Sequence, residues 1–209
     1  MQMKPFTNRS AAGRALARAL KPFCNNNCVV LAIPRGGVPV AAAVARELNV
    51  PLQVWLSKKI GHPRQKEYAI GAVTLSNVYL IPHEEVPEEY LASEIKAVRQ
   101  RLQEMQQRFG VADAKALKGK TAVLVDDGIA TGNTLMAAVR LLRQQEPARI
   151  LIAVPVAARQ AQELLAPEVD ELICLHTPEL FTGVGAFYED FEQTSDEEVV
   201  ALLQAAALK

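Results

Sequence analysis

The stretch of sequence that decides the fold runs from 121 to 135 and reads Thr-Ala-Val-Leu-Val-Asp-Asp-Gly-Ile-Ala-Thr-Gly-Asn-Thr-Leu. Its apolar run, Ala122 to Val125, has the length and branched side chains of a strand that is buried on both faces of a parallel sheet. Asp126 and Asp127 follow at the carboxyl end of that strand, where open α/β sheets bind ligands. Because two adjacent carboxylates repel each other, a fold that keeps both ionised gives them hydroxyl groups or a cation to share. A sugar diol bound with Mg²⁺ offers both.

The loop after the two acids is built mostly from small or hydroxylated residues. Its backbone N–H groups can converge on an oxyanion, and a helix predicted to begin near Thr134 adds about half a positive charge at its N-terminus. An ordinary strand-to-helix turn capped by an Asp is the alternative, but it explains one acid and one glycine rather than the whole run. We therefore predict a site for a ribose 5-phosphate, made by Gly128, Ala130, Thr131, Gly132, Asn133 and Thr134.

A second anion site is predicted at Pro34-Arg35-Gly36-Gly37, which follows the buried strand Val29 to Ile33 and precedes a helix. Two glycines let the backbone approach a ligand closely, Arg35 can bind phosphate oxygens through its guanidinium, and the helix N-terminus adds its dipole. Considered alone, the segment fits a turn with an exposed arginine equally well. Its place at the carboxyl end of another parallel strand favours convergence with the first loop.

Residues 123–135 resemble the 5-phosphoribosyl-1-pyrophosphate (PRPP) motif of the type I phosphoribosyltransferases, two acids followed by a Thr-Gly-x-Thr loop. The resemblance implies that Asp126 and Asp127 hold the ribose 2- and 3-hydroxyls and that residues 130–134 bind the 5-phosphate. Members acting on 6-oxopurines usually carry Asp where this chain has Ala130, whereas adenine phosphoribosyltransferases have Ala. The segment at 34–37 is similar to the pyrophosphate loop of the family, which implies a cis peptide between Pro34 and Arg35.

Two further segments match the family by position. Lys58 and Lys59 follow the second predicted strand, as a basic pair does in the family, and the resemblance implies that Lys58 binds pyrophosphate and Lys59 assists catalysis. Residues 61–71 correspond to the mobile catalytic loop, with Glu67 and Tyr68 as contributors. Closure of this loop matters because water can intercept the ribosyl oxocarbenium ion expected in the transition state.

Residues 181–191 combine aromatic side chains, glycines and acids outside any regular pattern. Aromatic faces suit stacking on a planar base, and core packing is the alternative for each of them. The segment resembles the hood of hypoxanthine-guanine phosphoribosyltransferases, which makes Asp190 a metal candidate, although its spacing from Gly185 is one residue longer than in that pattern. The candidates for contact with the base are Phe181, Val184, Phe187 and Tyr188.

Strands and helices alternate along the chain with short connections, which predicts right-handed crossovers and an open, mainly parallel sheet with helices on both faces. The fold class is α/β, in one domain of residues 1–209 with its core at about 29–176 and a hood at about 177–195. Strands are predicted at 29–33, 52–56, 121–125, 150–154 and 171–175, a hairpin at 69–81, and helices at 10–23, 38–48, 134–145, 158–165 and 196–208.

A long helix is predicted from about 87 to 109, with apolar residues repeating at alternating spacings of four and three. This seam resembles a coiled coil, so it indicates either a homodimer contact or docking on the same domain, and three heptads are marginal for a free coiled coil. Its members are Leu91, Ile95, Val98, Leu102, Met105 and Phe109.

The bulk properties exclude several classes of protein. With 209 residues, half of them hydrophobic, and a net charge of zero, the chain has no basic surface for non-specific binding of nucleic acid. We find neither a signal peptide nor a segment long enough to cross a membrane, and therefore predict a cytoplasmic protein without a membrane partner. Cys24 and Cys28 lack the further ligands of a zinc site, so with Cys174 they are predicted to be ordinary thiols.

The sequence thus predicts an Mg²⁺-dependent phosphoribosyltransferase that joins a nitrogenous acceptor to C1 of PRPP and releases pyrophosphate. The strand Ile150 to Val156 ends without the Lys that 6-oxopurine enzymes use to contact the exocyclic oxygen, so the acceptor is left open. A non-catalytic PRPP-sensing regulator on the same fold is the alternative, because fold and motif establish ligand binding better than turnover.

Overall fold

The computed structural model describes residues 4–65, 68–81, 85–111 and 116–207. Glu67, the predicted contributor from the mobile loop, lies outside these described residues. The helices are α1 (Arg9–Leu20), α2 (Gly37–Leu48), α3 (Glu88–Phe109), α4 (Asn133–Arg143), α5 (Arg159–Leu165) and α6 (Asp196–Ala207). The strands are β1 (Cys28–Ala32), β2 (Leu52–Val54), β3 (Lys58–Gly61), β4 (Ala69–Val73), β5 (Val78–Leu80), β6 (Thr121–Val125), β7 (Arg149–Val156) and β8 (Glu171–His176).

The larger sheet contains five strands, all parallel, in the order β2-β1-β6-β7-β8. Alternate residues of its central strands point to opposite faces, as the two-residue period of a strand requires. Val123 and Val125 pack in one core cluster with α1, α2, α3 and α6, and Ala122 and Leu124 pack in the other with α4 and α5. The predicted α/β class, with a mainly parallel sheet covered on both faces, is therefore confirmed.

The order of β1 and β6 fixes where a ligand site can form. These two strands are neighbours at the centre of the sheet, paired from Cys28–Thr121 to Ala32–Val125. Their carboxyl ends therefore lie side by side, and so do the loops that follow them. The segments at 34–37 and 126–134, which are separated by almost ninety residues of sequence, become adjacent for this reason.

The structure corrects the prediction for the segment after β2. Lys58 to Gly61, for which no strand was predicted, forms β3, and it joins β4 and β5 in an antiparallel three-stranded sheet. The connection between β3 and β4 is thus shorter than the predicted loop 61–71. Ile60 and Ile70 explain the difference because both are buried in the core. The predicted hairpin at 69–81 is confirmed, because β4 and β5 pair antiparallel.

The long helix α3 was predicted within one residue of its observed start and with its observed end. All six members of its apolar seam lie in, or pack against, the core cluster on the α2 face of the sheet. The apolar residues of the seam are therefore covered by other parts of the same chain, which agrees with the docking interpretation. A homodimer stays a prediction, and this seam gives it no support.

The prediction of free thiols at Cys24 and Cys28 was wrong. The two residues form a disulfide across a turn, with their Cα atoms 5.5 Å apart. The backbone N–H of Cys28 donates to the carbonyl of Asn25, and this turn brings the two side chains together despite their short separation in sequence. Cys174 is a free cysteine, as predicted.

No helix among the described residues combines the length and the apolar character that crossing a membrane requires.

Candidate functional site

The two predicted anion loops meet at the acid pair. A Cβ atom added to Gly36 would lie 2.2 Å from Oδ2 of Asp127, and one added to Gly37 would lie 2.9 Å from the Cα of Asp126. Any larger residue at either position would therefore force the loops apart. The peptide between Pro34 and Arg35 is cis, as the family resemblance implies. Gly36 and Gly37 are required because the backbone of one loop rests on the carboxylates of the other.

The two acids lie in an environment that disfavours their negative charge. Burial, together with the neighbouring charge of Asp127, raises the pKa of Asp126 well above its usual range. Burial also raises the pKa of Asp127, against the opposing effect of a hydrogen bond from Arg9. The backbone N–H of Asp127 donates to Oδ1 of Asp126 at 2.8 Å and fixes that carboxylate. Hydroxyl donors or a cation brought by a ligand would therefore stabilise the charged form of both carboxylates.

The loop after the acids leads directly into α4. Its N-cap residue, Gly132, has a φ of 80° and makes no side-chain capping bond, and the first turn of α4 contains no acid. The N–H groups of a first helical turn have no partner within the helix, so this end of α4 can bind an anion. Exposed side chains that surround this end belong to Ala130, Thr131, Asn133 and Thr134.

The hood contacts the acid loop from the other side. A Cβ atom on Gly128 would lie 2.6 Å from Cγ1 of Val184, so Val184 packs directly on the loop backbone. The hydroxyl of Tyr188 donates to the backbone carbonyl of Asp127 at 2.6 Å. Tyr188 is buried, and burial raises the pKa of its hydroxyl. It holds the acid loop in place, rather than presenting a free ring face to a base.

Two hood aromatics retain accessible surface. Phe181 and Phe187 are stacked with ring centroids 5.8 Å apart, and His176, at the end of β8, lies 5.5 Å from Phe187. All three side chains are partly exposed. Phe181 and Phe187 are therefore better placed than Tyr188 to meet a planar acceptor.

Arg35 has a partner of its own. Its Nη1 lies 3.4 Å from Oδ1 of Asp196, the first residue of α6, while Arg108 of α3 donates to Oδ2 of the same acid at 2.8 Å. The hydrogen bond from Arg108, followed by the positive charges of both arginines, lowers the pKa of Asp196. Arg35 thus shares an acid with Arg108 and keeps about two fifths of its side-chain surface exposed.

The remaining predicted residues are less directly connected to the acids. Lys58 and Lys59 lie on β3 of the smaller sheet, whose strands pack against α4. Asp190 is exposed, and its Oδ1 accepts a hydrogen bond from the backbone N–H of Glu192 at 3.2 Å. In the parts of the chain that the structure describes, no group of three or more His, Cys, Asp or Glu side chains is placed to hold a metal ion.

Sequence reasoning missed Arg9, whose Nε donates to Oδ2 of Asp127 at 2.9 Å. A clue was present in the sequence. Arg9 begins α1 directly after the N-cap Asn8, and the first turn of this helix contains no acid. A cation at the positive end of a helix is unfavourable, which indicates a carboxylate partner elsewhere in the fold.

Comparison with known proteins identifies the family of this chain. A family model described as "Phosphoribosyl transferase domain" matches residues 8–190. Two curated proteins of Mycobacterium tuberculosis, from strains CDC 1551 and H37Rv, are each named "Putative phosphoribosyl transferase" and are 42% identical over 210 residues. These matches cover 98% of this chain and 47% of each relative, so the chain spans about half the length of the curated relatives it matches.

Two solved structures share the fold of this chain. The crystal structure of TT1426 from Thermus thermophilus has a TM-score of 0.90 at 40% identity, covering 97% of this chain and 99% of that chain. A hypothetical protein from Neisseria gonorrhoeae with bound ppGpp has a TM-score of 0.53 at 15% identity, covering 98% of both chains, and shows a likeness of fold alone. From the matched residues, the identity to its relatives and the fold, we conclude that this chain belongs to the phosphoribosyl transferase domain family.

Proposed function

We propose that this protein is a phosphoribosyltransferase that uses PRPP and Mg²⁺ and transfers the phosphoribosyl group to a small nitrogenous acceptor. In this reaction a nitrogen of the acceptor forms a bond to C1 of the ribose while the bond from C1 to the pyrophosphate oxygen breaks. Pyrophosphate leaves with the electron pair of that bond, and the proton of the acceptor nitrogen passes to water.

One observation carries the proposal: the backbone of Gly36 and Gly37 lies against Asp126 and Asp127, beside the uncapped N-terminus of α4. A ribose held by the two carboxylates would have an anion site on each side. The helix end suits the 5-phosphate, and the loop with Arg35 suits the pyrophosphate. PRPP carries its two anionic groups at opposite ends of the sugar, which matches this order of sites.

The residues of the site fit Mg²⁺ as a metal shared with the substrate. This ion commonly binds through one or two carboxylates, with substrate phosphates and water completing its octahedral shell. Asp126 and Asp127 supply adjacent carboxylates whose charged forms burial disfavours, so a cation would add to the support that Arg9 gives to Asp127. When bound, Mg²⁺ would offset the charge of the leaving pyrophosphate. Asp190 remains a candidate for a second ion, with its other ligands supplied by substrate and water.

The hood supports the proposed acceptor site. Val184 rests on the acid loop, while Phe181 and Phe187 keep partly exposed rings beside it. A planar heterocycle stacked there would lie next to the sugar site and would be shielded from water on one face. The exposed Ala130 offers no carboxylate to act as a base.

The decisive experiment incubates the protein with PRPP, Mg²⁺ and a panel of nucleobases and other nitrogen heterocycles while pyrophosphate release is measured. We expect release that requires both Mg²⁺ and one member of the panel. In parallel, PRPP binding is measured by calorimetry. Tight binding without release across the panel would favour the PRPP-sensing regulator, whereas absence of binding would refute both functions.

The matched variants are Asp126→Asn with Asp127→Asn, and Asp170→Asn as the control. Asp170 lies at the opposite end of the sheet, where its carboxylate accepts the N–H of Ile150 at the start of β7. We expect the double variant to lose PRPP binding with its fold retained, and Asp170→Asn to bind PRPP normally. If the double variant and the unchanged protein bind PRPP with equal affinity, the assignment of Asp126 and Asp127 to the PRPP site is refuted.

A further inference from the structure

The N-terminal segment is part of the hood. The N–H of Phe6 donates to the carbonyl of Phe187 at 2.9 Å, and the N–H of Glu189 donates back to the carbonyl of Phe6 at 2.8 Å. A third backbone bond joins Asp190 to Thr7 at 3.1 Å. These bonds attach residues 6 and 7 to the hood, with an isolated parallel bridge between Phe6 and Tyr188, shortly before Arg9.

Arg9 is held by three different groups, of which Asp127 is one. Besides its bond from Nε to Oδ2 of Asp127, Arg9 donates from Nη1 to the carbonyl of Glu192 at 2.7 Å. Its guanidinium carbon lies 3.9 Å from the ring centroid of Phe191, which is a cation–π contact. The backbone and the ring of the hood therefore hold the guanidinium in place beside Asp127.

The contact between Arg9 and Asp127 is shielded from water. The side chain of Arg9 is 11% exposed and that of Asp127 is 15% exposed. Charge-assisted bonds in such surroundings are stronger than ion pairs on an open surface. Arg9 engages one carboxylate oxygen, Oδ2, rather than forking onto both. The pairing thus fixes the carboxylate while leaving Oδ1 available to a hydroxyl group.

We propose that Arg9 is a positioning residue for phosphoribosyl transfer. Fixed by the hood, it holds Asp127 through Oδ2 in the orientation that accepts a hydroxyl of the sugar. This inference rests on the proposed function, and it adds that the N-terminal segment and the hood together determine sugar binding. Arg9 acts through Asp127 and through its own positive charge beside an anionic substrate, without taking part in bond breaking.

The test compares Arg9→Gln with Arg14→Gln. Arg14 lies on the same helix with its side chain exposed, so this control removes an equal charge away from the site. We expect Arg9→Gln to raise the Kd and KM for PRPP by about tenfold to a hundredfold, the range for losing a charged hydrogen bond. The KM for the acceptor and kcat should change by less than about threefold. Arg14→Gln should leave all of these values unchanged.

Arg9→Lys separates positioning from general support of the fold. An ammonium group keeps the charge but loses the planar geometry that bonds to Asp127 and stacks on Phe191 together. We expect its Kd for PRPP to lie between those of the unchanged protein and Arg9→Gln. This variant also decides the question if Arg9→Gln fails to fold.

The outcomes distinguish this inference from the proposed function. If the unchanged protein does not bind PRPP, both fail. If it binds PRPP and Arg9→Gln binds equally well or more tightly, the inference alone fails, and Arg9 would then be a neutral or blocking residue. An equal rise in the KM values for PRPP and the acceptor, with a lower melting temperature, would show that Arg9 only supports the hood and would also overturn the inference.

Discussion

Gly36 and Asp127 are in direct contact, with room for no atom between the Cα of the glycine and Oδ2 of the acid. Gly36→Ala must therefore displace either the loop at 34–37 or the Asp127 carboxylate. We expect PRPP affinity to fall at least tenfold and the free energy of unfolding to fall by about 1–3 kcal/mol, the usual cost of overpacking. Calorimetry and denaturant unfolding measure the two effects.

Gly110→Ala is the control for Gly36→Ala. Gly110 ends α3 with a φ of 61° and has no other atom within 4 Å of an added Cβ. The substitution should cost about 1 kcal/mol of stability through backbone strain. PRPP binding should not change. Equal losses of affinity in both glycine variants would mean that reduced stability, rather than contact with Asp127, explains the effect of Gly36→Ala.

Asp126 should reduce stability at neutral pH. A carboxyl group whose pKa is raised by folding binds more protons in the folded chain than in the unfolded chain, so its contribution to the free energy of unfolding falls as pH rises above about 4. Asp126→Asn removes this ionisation. The variant should therefore melt at a higher temperature than the unchanged protein at pH 8, with a difference that shrinks toward pH 4.

The companion variant Asp127→Asn should give a smaller rise in melting temperature at pH 8. It removes a carboxyl whose pKa burial also raises, but it weakens the pairing with Arg9 as well. Thermal unfolding of both variants across the pH range compares the two acids. A stability difference for Asp126→Asn that is the same at pH 4 and pH 8 would contradict the electrostatic explanation.

Val184 and Gly128 should be energetically coupled. Gly128→Ala places a methyl group against Val184 and Val156, so we expect a loss of about 1–3 kcal/mol. Adding Val184→Ala frees space and should recover part of the lost free energy of unfolding. A double-mutant cycle on unfolding free energies should give a coupling of about 0.5–3 kcal/mol. Additive effects would show that the hood does not press on the acid loop.

Asp196 should weaken pyrophosphate binding by partly neutralising Arg35. Asp196→Asn leaves the Arg35 charge available, and we expect inorganic pyrophosphate to bind a few-fold more tightly, in keeping with the small energies of exposed ion pairs. Glu197→Gln, a change to the exposed neighbour on α6, is the matched control. Calorimetry at low and high salt measures the effect, which should decrease as salt increases. Weaker binding by Asp196→Asn would show instead that the acid orients Arg35 productively.

The sheet could be predicted from the sequence because its strands are apolar runs of adequate length placed between helices. β6 was predicted residue for residue, since Thr121 to Val125 is bounded by a lysine and by two acids. β3 could not be predicted in this way. Its sequence, Lys-Lys-Ile-Gly, contains a single large apolar side chain, and its pairing depends on β4, which lies after an intervening loop.

The meeting of the acid pair with the segment 34–37 could also be predicted, because these residue types are concentrated in short segments at the ends of neighbouring strands. The contacts that support them could not. Arg9 reaches Asp127 from 118 residues away, and Tyr188 reaches the same residue from 61 residues away. Such pairs leave no local pattern in one sequence. The disulfide was missed for a different reason, because two cysteines separated by three asparagines fit a turn with or without a bond.

The parallel pairing of Phe6 with Tyr188 joins the segment just before the matched family domain to the end of that domain. During synthesis, the ribosome must add the residues of the hood before residues 6–9 can form their contacts with it. The five-stranded sheet can assemble earlier, because its last strand ends at His176. We therefore expect a released chain that ends shortly after β8 to form the sheet, without the part of the core that α6 covers, and to be unable to bind PRPP. Ligand binding would then report that translation of the domain is finished.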